Sequence, residues 1–557
     1  MLVSLDSHWK VPCGYFLING LSGKERANIV KLCLTKLHET GVHVTSLTCD
    51  GLRCNFTMFK DLGASVEDAS AMSTSFPHPV TQEKVYCLLD ACHMVKLVRN
   101  ALSALGCLRD ASGASVSWDY IVQLQELQEK EGLHAATKLR AAHIQWQKQK
   151  MKVNLAVQTL STSVADAIDF CREDLQLPQF KNSEGTVKFI RMFDKLFDFL
   201  NSRNPVANGF KAPLRPSNKG TWMNFFEEVK EYIQGLTDGS GVPIFRTPRR
   251  TPFLGFLVTI ESVIGLASAL LLSDNAPLRY FLTYKLSQDH IELFFAAVRS
   301  KGGWNNNPTV SQFVAAYKRL VTHNQVKGGR GNCESLDNTR ILYVSSQFCS
   351  NDELDMATAK RSGTQDLMQG IDLPDESELD VIVEDLPALS PYLGNVVGYI
   401  AGFVCRMVKR KIPCAVCYSA TIAETCGSAL LNRKNRGGLS KPSSSTTYIC
   451  QLTEKAVRLQ EKVHDGGLPK KNAADTVTAK VMAELSGVLS TNKLYPELHG
   501  HMFESAVDSN HFVRLVKCVI GCYVKIRMHH AAKQATAKIT GPNIRKRLAK
   551  LIIFSHQ

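Results

Sequence analysis

The segment "LSQDHIELFF", residues 286–295, places two acidic side chains at the start of an apolar run. Asp289 and Glu292 are three residues apart, so a helix would carry both on one face, one turn from each other. Acidic residues are also favoured at helix N-termini because they complement the helix dipole. The segment therefore predicts a helix that begins near Asp289, whose carboxylates are either dipole partners or half of an active site.

A strand-end aspartate far upstream is the complementary feature. Asp50 ends the β-like segment "VHVTSLTCDG", residues 42–51. Hydrolysis or transfer at phosphodiesters commonly uses carboxylates that converge on two divalent metal ions, and Mg²⁺ prefers oxygen ligands. Spacing alone favours simpler explanations for both residues, because Asp-Gly after a strand is a common turn signal.

The N-terminal part of the chain alternates strand-like and helix-like segments. In chain order we predict a strand, a helix that Ser22 caps, a strand, a short helix and a strand running into a helix, at residues 14–19, 22–41, 42–51, 55–64 and 84–102. This order predicts an α/β domain with a mixed or parallel sheet. Functional residues gather at the carboxyl ends of such strands, which is where Asp50 and Asp90 fall.

The middle of the chain, residues 115–285, shows helical spacing and almost no strand signal. Its most apolar segment, residues 253–272, is long enough to span a bilayer. Glu261 and two serines near its middle favour a buried core helix over a membrane span. We therefore expect no membrane association.

Length and charge limit the class of protein. A chain of 557 residues predicts two to four domains. The formal net charge of +15 favours a polyanionic partner, most commonly nucleic acid. Seventeen cysteines without regular spacing, behind an N-terminus that becomes polar within a few residues, indicate free thiols in a reducing compartment.

Three quoted segments carry a family resemblance. Residues 7–55, from "SHWKVPCGYF" to "TCDGLRCN", and residues 287–308, "SQDHIELFFAAVRSKGGWNNNP", closely resemble the catalytic core of the P-element transposase family, the THAP-type transposases. Residues 396–417, "VVGYIAGFVCRMVKRKIPCAVC", look like that family's C-terminal region. The resemblance covers most of the chain in the expected order.

The resemblance implies an α/β plus α fold, in which a helical GTP-binding insertion splits a ribonuclease H-like catalytic domain. A mostly helical C-terminal domain follows. The implied boundaries are 1–105 for the first part of the ribonuclease H-like domain, 106–285 for the insertion, 286–330 for the returning helix, 331–387 for an acidic linker and 388–557 for the C-terminal domain.

The family's activity is Mg²⁺-dependent DNA cleavage and strand transfer with GTP as a cofactor. Carried over by position, Asp50 and Glu292 match catalytic carboxylates that bind the metal, and Asp289 matches a position that recognises guanine. A carboxylate suits that role because it accepts hydrogen bonds from the base's two N–H donors. Asp90, Lys96 and Asn100 are further candidates for holding nucleotide and phosphate.

The resemblance also shows two departures. Family members begin with a THAP zinc module, and their first catalytic carboxylate lies on a strand before the "SHWKVP" block, which starts here at residue 7. We therefore expect an N-terminally truncated catalytic domain that cuts and joins DNA poorly. The alternative is a non-catalytic, domesticated DNA- and GTP-binding protein. A P-loop GTPase is not favoured, because the chain has no Gly-x-x-x-x-Gly-Lys-Ser/Thr segment.

Further expectations concern zinc, assembly and localisation. Cys414 and Cys417 form a Cys-x-x-Cys pair, a weak zinc signal on its own, with reduced structural thiols as the alternative. Possible additional ligands are Cys405, Cys426, His499, His501, His529 and His530. The family implies transposon-end-like DNA as a partner, a homo-oligomer and the nucleus. The basic residues 470–471 or 545–550 are candidate import signals.

Overall fold

The computed structural model describes residues 1–69, 71–301, 307–322, 388–463, 473–489, 493–501 and 510–535. The predicted linker at 331–387 and the basic residues at 470–471 and 545–550 lie outside the described residues. Contacts divide the chain into two compact units. The first comprises Met1–Tyr343, Leu389–Gln451 and Val488–Tyr523, and the second comprises Val344–Ala388, Leu452–Gly487 and Val524–Gln557.

The strands of the described residues are short. They are β1 (Leu2–Val3), β2 (Lys10–Val11), β3 (Ser46–Cys49), β4 (Ser75–Pro77), β5 (Lys84–Leu89), β6 (Cys107–Arg109), β7 (Ser115–Ser117) and β8 (Thr237–Asp238).

The helices supply most of the structure. In the first half of the chain they are α1 (Gly23–Glu39), α2 (Arg53–Leu62), α3 (Ala91–Leu105), α4 (Asp119–Glu131), α5 (Ala141–Ile144), α6 (Val153–Thr159), α7 (Thr162–Asp169), α8 (Glu184–Leu200), α9 (Lys219–Gln234) and α10 (Thr251–Leu270). The later helices are α11 (Asp289–Lys301), α12 (Val310–Thr322), α13 (Pro391–Lys411), α14 (Ala415–Ala420), α15 (Ala429–Lys434), α16 (Ser444–Val463), α17 (Ala473–Leu489) and α18 (His511–Ala535).

The N-terminal α/β region contains the predicted mixed sheet, in the order β3-β5-β4. β3 and β5 are parallel, and β4 and β5 are antiparallel. The helix α1 begins as predicted, because Ser22 and Glu25 form a reciprocal capping box at its N-terminus. β1 and β2 form a separate antiparallel ribbon.

The strand predicted at residues 14–19 is wrong. No regular structure is assigned there, and the side chains of Tyr15, Phe16, Leu17 and Ile18 are exposed. Strand pairing instead ends at Val11, and the next residue, Pro12, has no N–H to donate to a ladder.

The expectation of almost no strand between 115 and 285 needs a smaller correction. β7 and β8 lie in this range and pair with β6, just before it, in a three-stranded antiparallel sheet of order β7-β6-β8. Each of these strands has two or three residues, too few for an alternating pattern to be recognised in the sequence.

The apolar helix α10 covers the central strand β5. The Thr259 hydroxyl donates to the Leu89 carbonyl at 2.9 Å and accepts from the Leu89 N–H at 3.1 Å. Gly265 allows this close approach, because a Cβ there would lie 2.2 Å from the Tyr86 ring. In the described part of the chain, α10 is the single helix long and apolar enough to cross a membrane, and 67% of its most apolar window is buried inside the fold. Its apolarity is thus accounted for by packing.

Ion pairs join the insertion to the segment that follows residue 389 within the first unit. Asp166 on α7 accepts from Arg191 at 2.9 Å and from Arg436 at 3.0 Å. Arg433 pairs with Glu173 and Asp174. In the second unit, the fully buried Glu454 is compensated by Arg458 and Arg527, each at 2.8 Å.

Gly185 in the first turn of α8 provides a stability test. A Cβ at this position would lie 2.4 Å from the Ser115 carbonyl oxygen, which belongs to the backbone of β7 and cannot rotate away. We expect Gly185→Ala to destabilise the first unit by about 1–3 kcal/mol. Thermal unfolding followed by calorimetry measures this loss.

Gly220 is the matched control, because it is also the second residue of its helix, α9, and a Cβ added there would have no atom within 4 Å. Gly220→Ala should leave stability unchanged or raise it by about 0.5–1 kcal/mol. Equal effects of the two substitutions would contradict the packing of α8 against β7.

Candidate metal and nucleotide site

The site forms where two parallel strands end side by side. Cys49 lies opposite Leu89 in the β3/β5 pair, so the residues that follow, Asp50 and Asp90, are neighbours at the carboxyl edge of the sheet. The Asp90 N–H donates to the Cys49 carbonyl at 3.0 Å. The strand ends therefore bring these two aspartates together, as the sequence predicted.

The Asp90 side chain joins the starts of two helices. As the N-cap of α3, it accepts a hydrogen bond from the His93 N–H at 2.8 Å through Oδ2. Its Oδ1 accepts from the Gln288 N–H at 3.0 Å, immediately before α11. Burial raises the Asp90 pKa to about 6, and the negative charge of Asp289 acts in the same direction. The returning helix is thus fixed against the end of β5.

The buried Lys96 ammonium is influenced by the charges of three carboxylates. Lys96 is buried on α3, and its Nζ is 3.3 Å from His93 Nδ1. Burial lowers the pKa of Lys96, while the negative charges of Asp90, Asp50 and Glu292 oppose this shift. The paired strand ends and the Asp90–Gln288 hydrogen bond place the predicted pair, Asp50 and the Glu292-bearing start of α11, on either side of Asp90.

Asp50 and Glu292 both keep oxygen atoms available for a metal ion. Asp50 Oδ1 accepts from Asn55 Nδ2 at 2.7 Å and from the Leu52 N–H at 3.2 Å, whereas its Oδ2 has no hydrogen-bond partner among the described residues. The Glu292 side chain is exposed in the first turn of α11 and makes no hydrogen bond or ion pair within that same part of the chain. Accessible carboxylate oxygens with room for water are ligands that Mg²⁺ prefers, so this donor set fits magnesium.

Asp289 is engaged by a side chain of the insertion. Arg203 Nη2 is 2.7 Å from Asp289 Oδ2, and the Arg203 guanidinium lies 5.9 Å from the centre of the Tyr284 ring. Arg203 Nε also donates to Asn201 Oδ1 at 3.1 Å. A guanine base that presents two N–H donors to Asp289 would therefore have to share or displace this ion pair.

The Asn100 side chain is hydrogen-bonded to groups other than the carboxylates. Its Nδ2 donates to the Lys150 carbonyl at 3.3 Å, and its Oδ1 accepts from Arg99 Nε at 2.8 Å. Arg99 is fully buried, its Nη2 donates to the Gln149 carbonyl at 3.1 Å, and its Nη1 has no partner among the described residues. Burial lowers the pKa of Arg99 to about 10. Asn100 and Arg99 thus support the turn at 149–150, and the nucleotide role of Asn100 stays a prediction.

Sequence reasoning did not identify Arg99, Arg203 or His93 as site residues. A signal existed for Arg99 and His93, because α3 carries them with Lys96 and Asn100 in an otherwise apolar helix. Charged residues are rarely buried without a specific partner or ligand. No comparable signal marked Arg203, which lies 86 positions from Asp289 in a loop.

Four family models match successive parts of the chain. They are "TNP-like, RNase H N-terminal domain" at residues 1–63, "TNP-like, GTP-binding insertion domain" at 92–213, "TNP-like, RNase H C-terminal domain" at 284–318, and "DNA transposase THAP9, C-terminal domain" at 388–533. Together they define a ribonuclease H-like transposase domain that a GTP-binding insertion interrupts.

Two curated relatives match along almost the whole chain. Human DNA transposase THAP9 is 29% identical over 543 residues, which are 96% of this chain and 59% of the relative. The transposable element P transposase of Drosophila melanogaster is 24% identical over 562 residues, which are 98% of this chain and 64% of the relative. The chain belongs to the P-element and THAP-type transposase family, which confirms the resemblance predicted from its motifs.

The chain spans 59% and 64% of the lengths of these two relatives. A solved structure, the Drosophila P element transposase strand transfer complex, aligns with a TM-score of 0.46 and 27% identity, covering 53% of this chain and 63% of that one.

The raised pKa of Asp90 predicts a pH dependence of stability. The folded state holds a proton on Asp90 up to about pH 6, whereas the unfolded state releases it near the ordinary aspartate pKa of 3.8. The stabilisation that protonated Asp90 gives to the folded state is therefore fully present below about pH 4 and is lost as the pH rises through 6. The loss amounts to about 3 kcal/mol, from about 1.4 kcal/mol for each pKa unit.

We expect Asp90→Asn to remove the fall in folding stability that deprotonation of Asp90 causes as the pH rises. Urea midpoints measured from pH 4.5 to 7 with a chelator present should fall less steeply for the variant than for the parent protein. Asp274→Asn, at an exposed position after α10, is the control that keeps the parent slope. Parallel curves for Asp90→Asn and the parent would contradict the burial of an ionisable carboxyl at this joint.

Proposed function

We propose that this protein carries out, or derives from a protein that carries out, Mg²⁺-dependent DNA cleavage and strand transfer with GTP as a cofactor. The observation that supports this most is that the paired strand ends and the Asp90–Gln288 hydrogen bond bring Asp50, Asp90 and the start of α11, which carries Glu292, to one place. The chain also matches a GTP-binding insertion domain. The net charge of +15 suits binding to DNA.

Asp50 and Glu292 are the proposed metal ligands. Magnesium held there would polarise the scissile phosphate and activate the attacking oxygen. Asn55 orients the Asp50 carboxylate, and the Arg26 guanidinium in turn donates to Asn55 Oδ1 at 3.3 Å. The positive charge of Lys96 would offset part of the repulsion between these carboxylates.

GTP is proposed to bind next to this cluster. Asp289 would accept the N–H donors of guanine, and Arg203 would hold the Asp289 carboxylate in position. The ammonium of Lys96 is a candidate source of positive charge for the phosphates, and Asp90 would act by fixing Gln288 next to Asp289.

We propose that cleavage by this chain is slow. Two carboxylates with available oxygens are a small ligand set for two metal ions.

A cavity of about 710 Å³ lies beside β3, lined by residues 2–5, residues 44–48 and Gln288 among others. β3 pairs with β5 along one edge, and no strand of the described residues pairs with its other edge. An extended segment that carried an acidic residue and paired with this edge would add a further carboxylate near Asp50.

The alternative is a non-catalytic protein that binds DNA and GTP. Basic charge and the insertion domain support this alternative as well as they support catalysis. DNA binding that falls steeply with salt would indicate phosphate contacts. If that binding needs no magnesium and survives Asp50→Asn while no cleavage occurs, the alternative is favoured.

By analogy with its family, the protein is proposed to act in the nucleus on transposon-end-like DNA as a homo-oligomer. Each of these is a separate proposal, since the chain covers 59% and 64% of the relatives on which the analogy rests.

Glu292→Gln tests the metal site. The substitution keeps the size of the side chain and removes its charge, so we expect Mn²⁺ binding, measured by electron paramagnetic resonance, to weaken about tenfold or more. Nicking of supercoiled plasmid in Mg²⁺ should fall to background, while salt-dependent plasmid binding remains. Glu67→Gln, at an exposed position after α2, is the matched control and should change neither quantity. Mn²⁺ affinity that is equal in Glu292→Gln and the parent would overturn the assignment.

Asp289→Asn tests guanine recognition. An asparagine amide replaces one acceptor with a donor, which mismatches guanine and matches xanthine, whose C2 carries an oxygen instead of an amine. Fluorescent GTP should bind about 10–100-fold more weakly, and the xanthosine analogue correspondingly more tightly, because buried unpaired polar groups are costly.

Asp274→Asn serves again as the exposed control, with no expected change in either nucleotide's affinity. If the Asp289→Asn variant loses affinity for GTP and gains none for the xanthosine analogue, Asp289 serves only the ion pair with Arg203.

A further inference from the structure

A second cluster of potential ligands lies far from the carboxylates in the sequence, within the first unit. Cys414 is the N-cap of α14 and Cys417 is in its first turn. His501 ends the 3₁₀ helix Pro496–His501, and His511 begins α18. Their four ligand atoms all lie within 4.8 Å of one another.

The separations between these atoms suit one small cation. Cys414 Sγ is 3.4 Å from His501 Nε2, and Cys417 Sγ is 3.7 Å from His511 Nδ1. Tetrahedral zinc with its usual Zn–S and Zn–N lengths sets sulfur and nitrogen ligands about 3.6 Å apart. The two imidazole nitrogens are closer, at 2.8 Å, so they would move apart by about 0.5 Å on binding.

Hydrogen bonds alone cannot account for the short contacts among these four side chains. His501 Nε2 contacts both Cys414 Sγ and His511 Nδ1, and His511 Nδ1 contacts both His501 Nε2 and Cys417 Sγ. Each ring nitrogen offers either one lone pair or one N–H in the plane of its ring. It therefore cannot bond well to two partners at once. The rings are nearly perpendicular, at 81°, so they are not stacked either.

We infer that Cys414, Cys417, His501 and His511 bind one Zn²⁺ ion. Two thiolates and two neutral imidazoles balance the charge of the ion, and binding releases the two thiol protons to solvent without any redox change. Four protein ligands leave no open position, so the site is structural rather than catalytic. Neither the proposed DNA chemistry nor the GTP site depends on it.

Local structure supports Cys414 as a ligand. The backbone N–H groups of Cys417 and Val416 donate to Cys414 Sγ. Such backbone donors favour a thiolate.

The structure also selects among the ligands that the sequence suggested. Cys405 Sγ donates to the Thr421 carbonyl at 3.2 Å, and Cys426 Sγ accepts from the Ser428 N–H at 3.4 Å, so both thiols are used elsewhere. His501 was among the candidates, and His511 was not. The ion would link the start of α14 to the 3₁₀ helix Pro496–His501, 87 positions from Cys414 to His501, and to the start of α18, 94 positions from Cys417 to His511.

Metal content tests the inference. The 557-residue chain, expressed with added zinc and purified without chelator or affinity tag, should contain one zinc per chain by inductively coupled plasma mass spectrometry. Cys414→Ser and His511→Gln should each bring the content close to zero, and both should lower the thermal midpoint. Cys426→Ser, which alters a nearby thiol outside the cluster, should keep the full equivalent.

Cobalt titration provides an independent measurement if the variants fail to fold. Co²⁺ added to the metal-free parent protein should produce the visible absorption of a tetrahedral thiolate complex, which Zn²⁺ then removes. A parent protein that holds no zinc and gives no such absorption overturns the inference. So does a folded Cys414→Ser variant that keeps its zinc.

Discussion

A single buried carboxylate, that of Asp90, holds the candidate site together. It accepts hydrogen bonds from the backbone of α3 and from Gln288, 198 positions later in the chain. These two N–H donors favour the charged carboxylate, but burial outweighs them and raises the pKa of Asp90. Because Gln288 directly precedes α11, this joint determines where Glu292 lies relative to Asp50. The relative position of the two proposed metal ligands therefore depends on a residue that the sequence suggested as a nucleotide contact.

Much of the fold could be predicted from local physical chemistry. The capping box at Ser22, the strand ends at Asp50 and Asp90, and the core position of α10 follow from signals contained in a few neighbouring residues. The prediction of a strand at 14–19 was wrong because an apolar segment forms a strand only where another strand pairs with it. The sequence pattern does not show which segments pair. β6 to β8 are too short to produce a pattern at all.

The site could be predicted in part, and mainly through family resemblance. Spacing alone could not distinguish Asp50 and Glu292 from a turn and a helix start. The ion pair between Arg203 and Asp289 joins a loop to a helix 86 positions away, and no local sequence pattern indicates it. His501 and His511 are 10 positions apart, wider than the roughly three to five intervening residues of common zinc motifs, so a search by spacing finds the cysteine pair alone.

The cover that α10 provides for β5 has a consequence for how the protein is made. Thr259 bonds to Leu89 across 170 positions, so the ribosome must synthesise the whole insertion before the central strand receives its covering helix. At usual rates of elongation this takes roughly 10–30 s. During that interval the nascent sheet exposes an apolar face, which makes it a substrate for chaperones. A stalled or prematurely terminated translation product would present that face permanently.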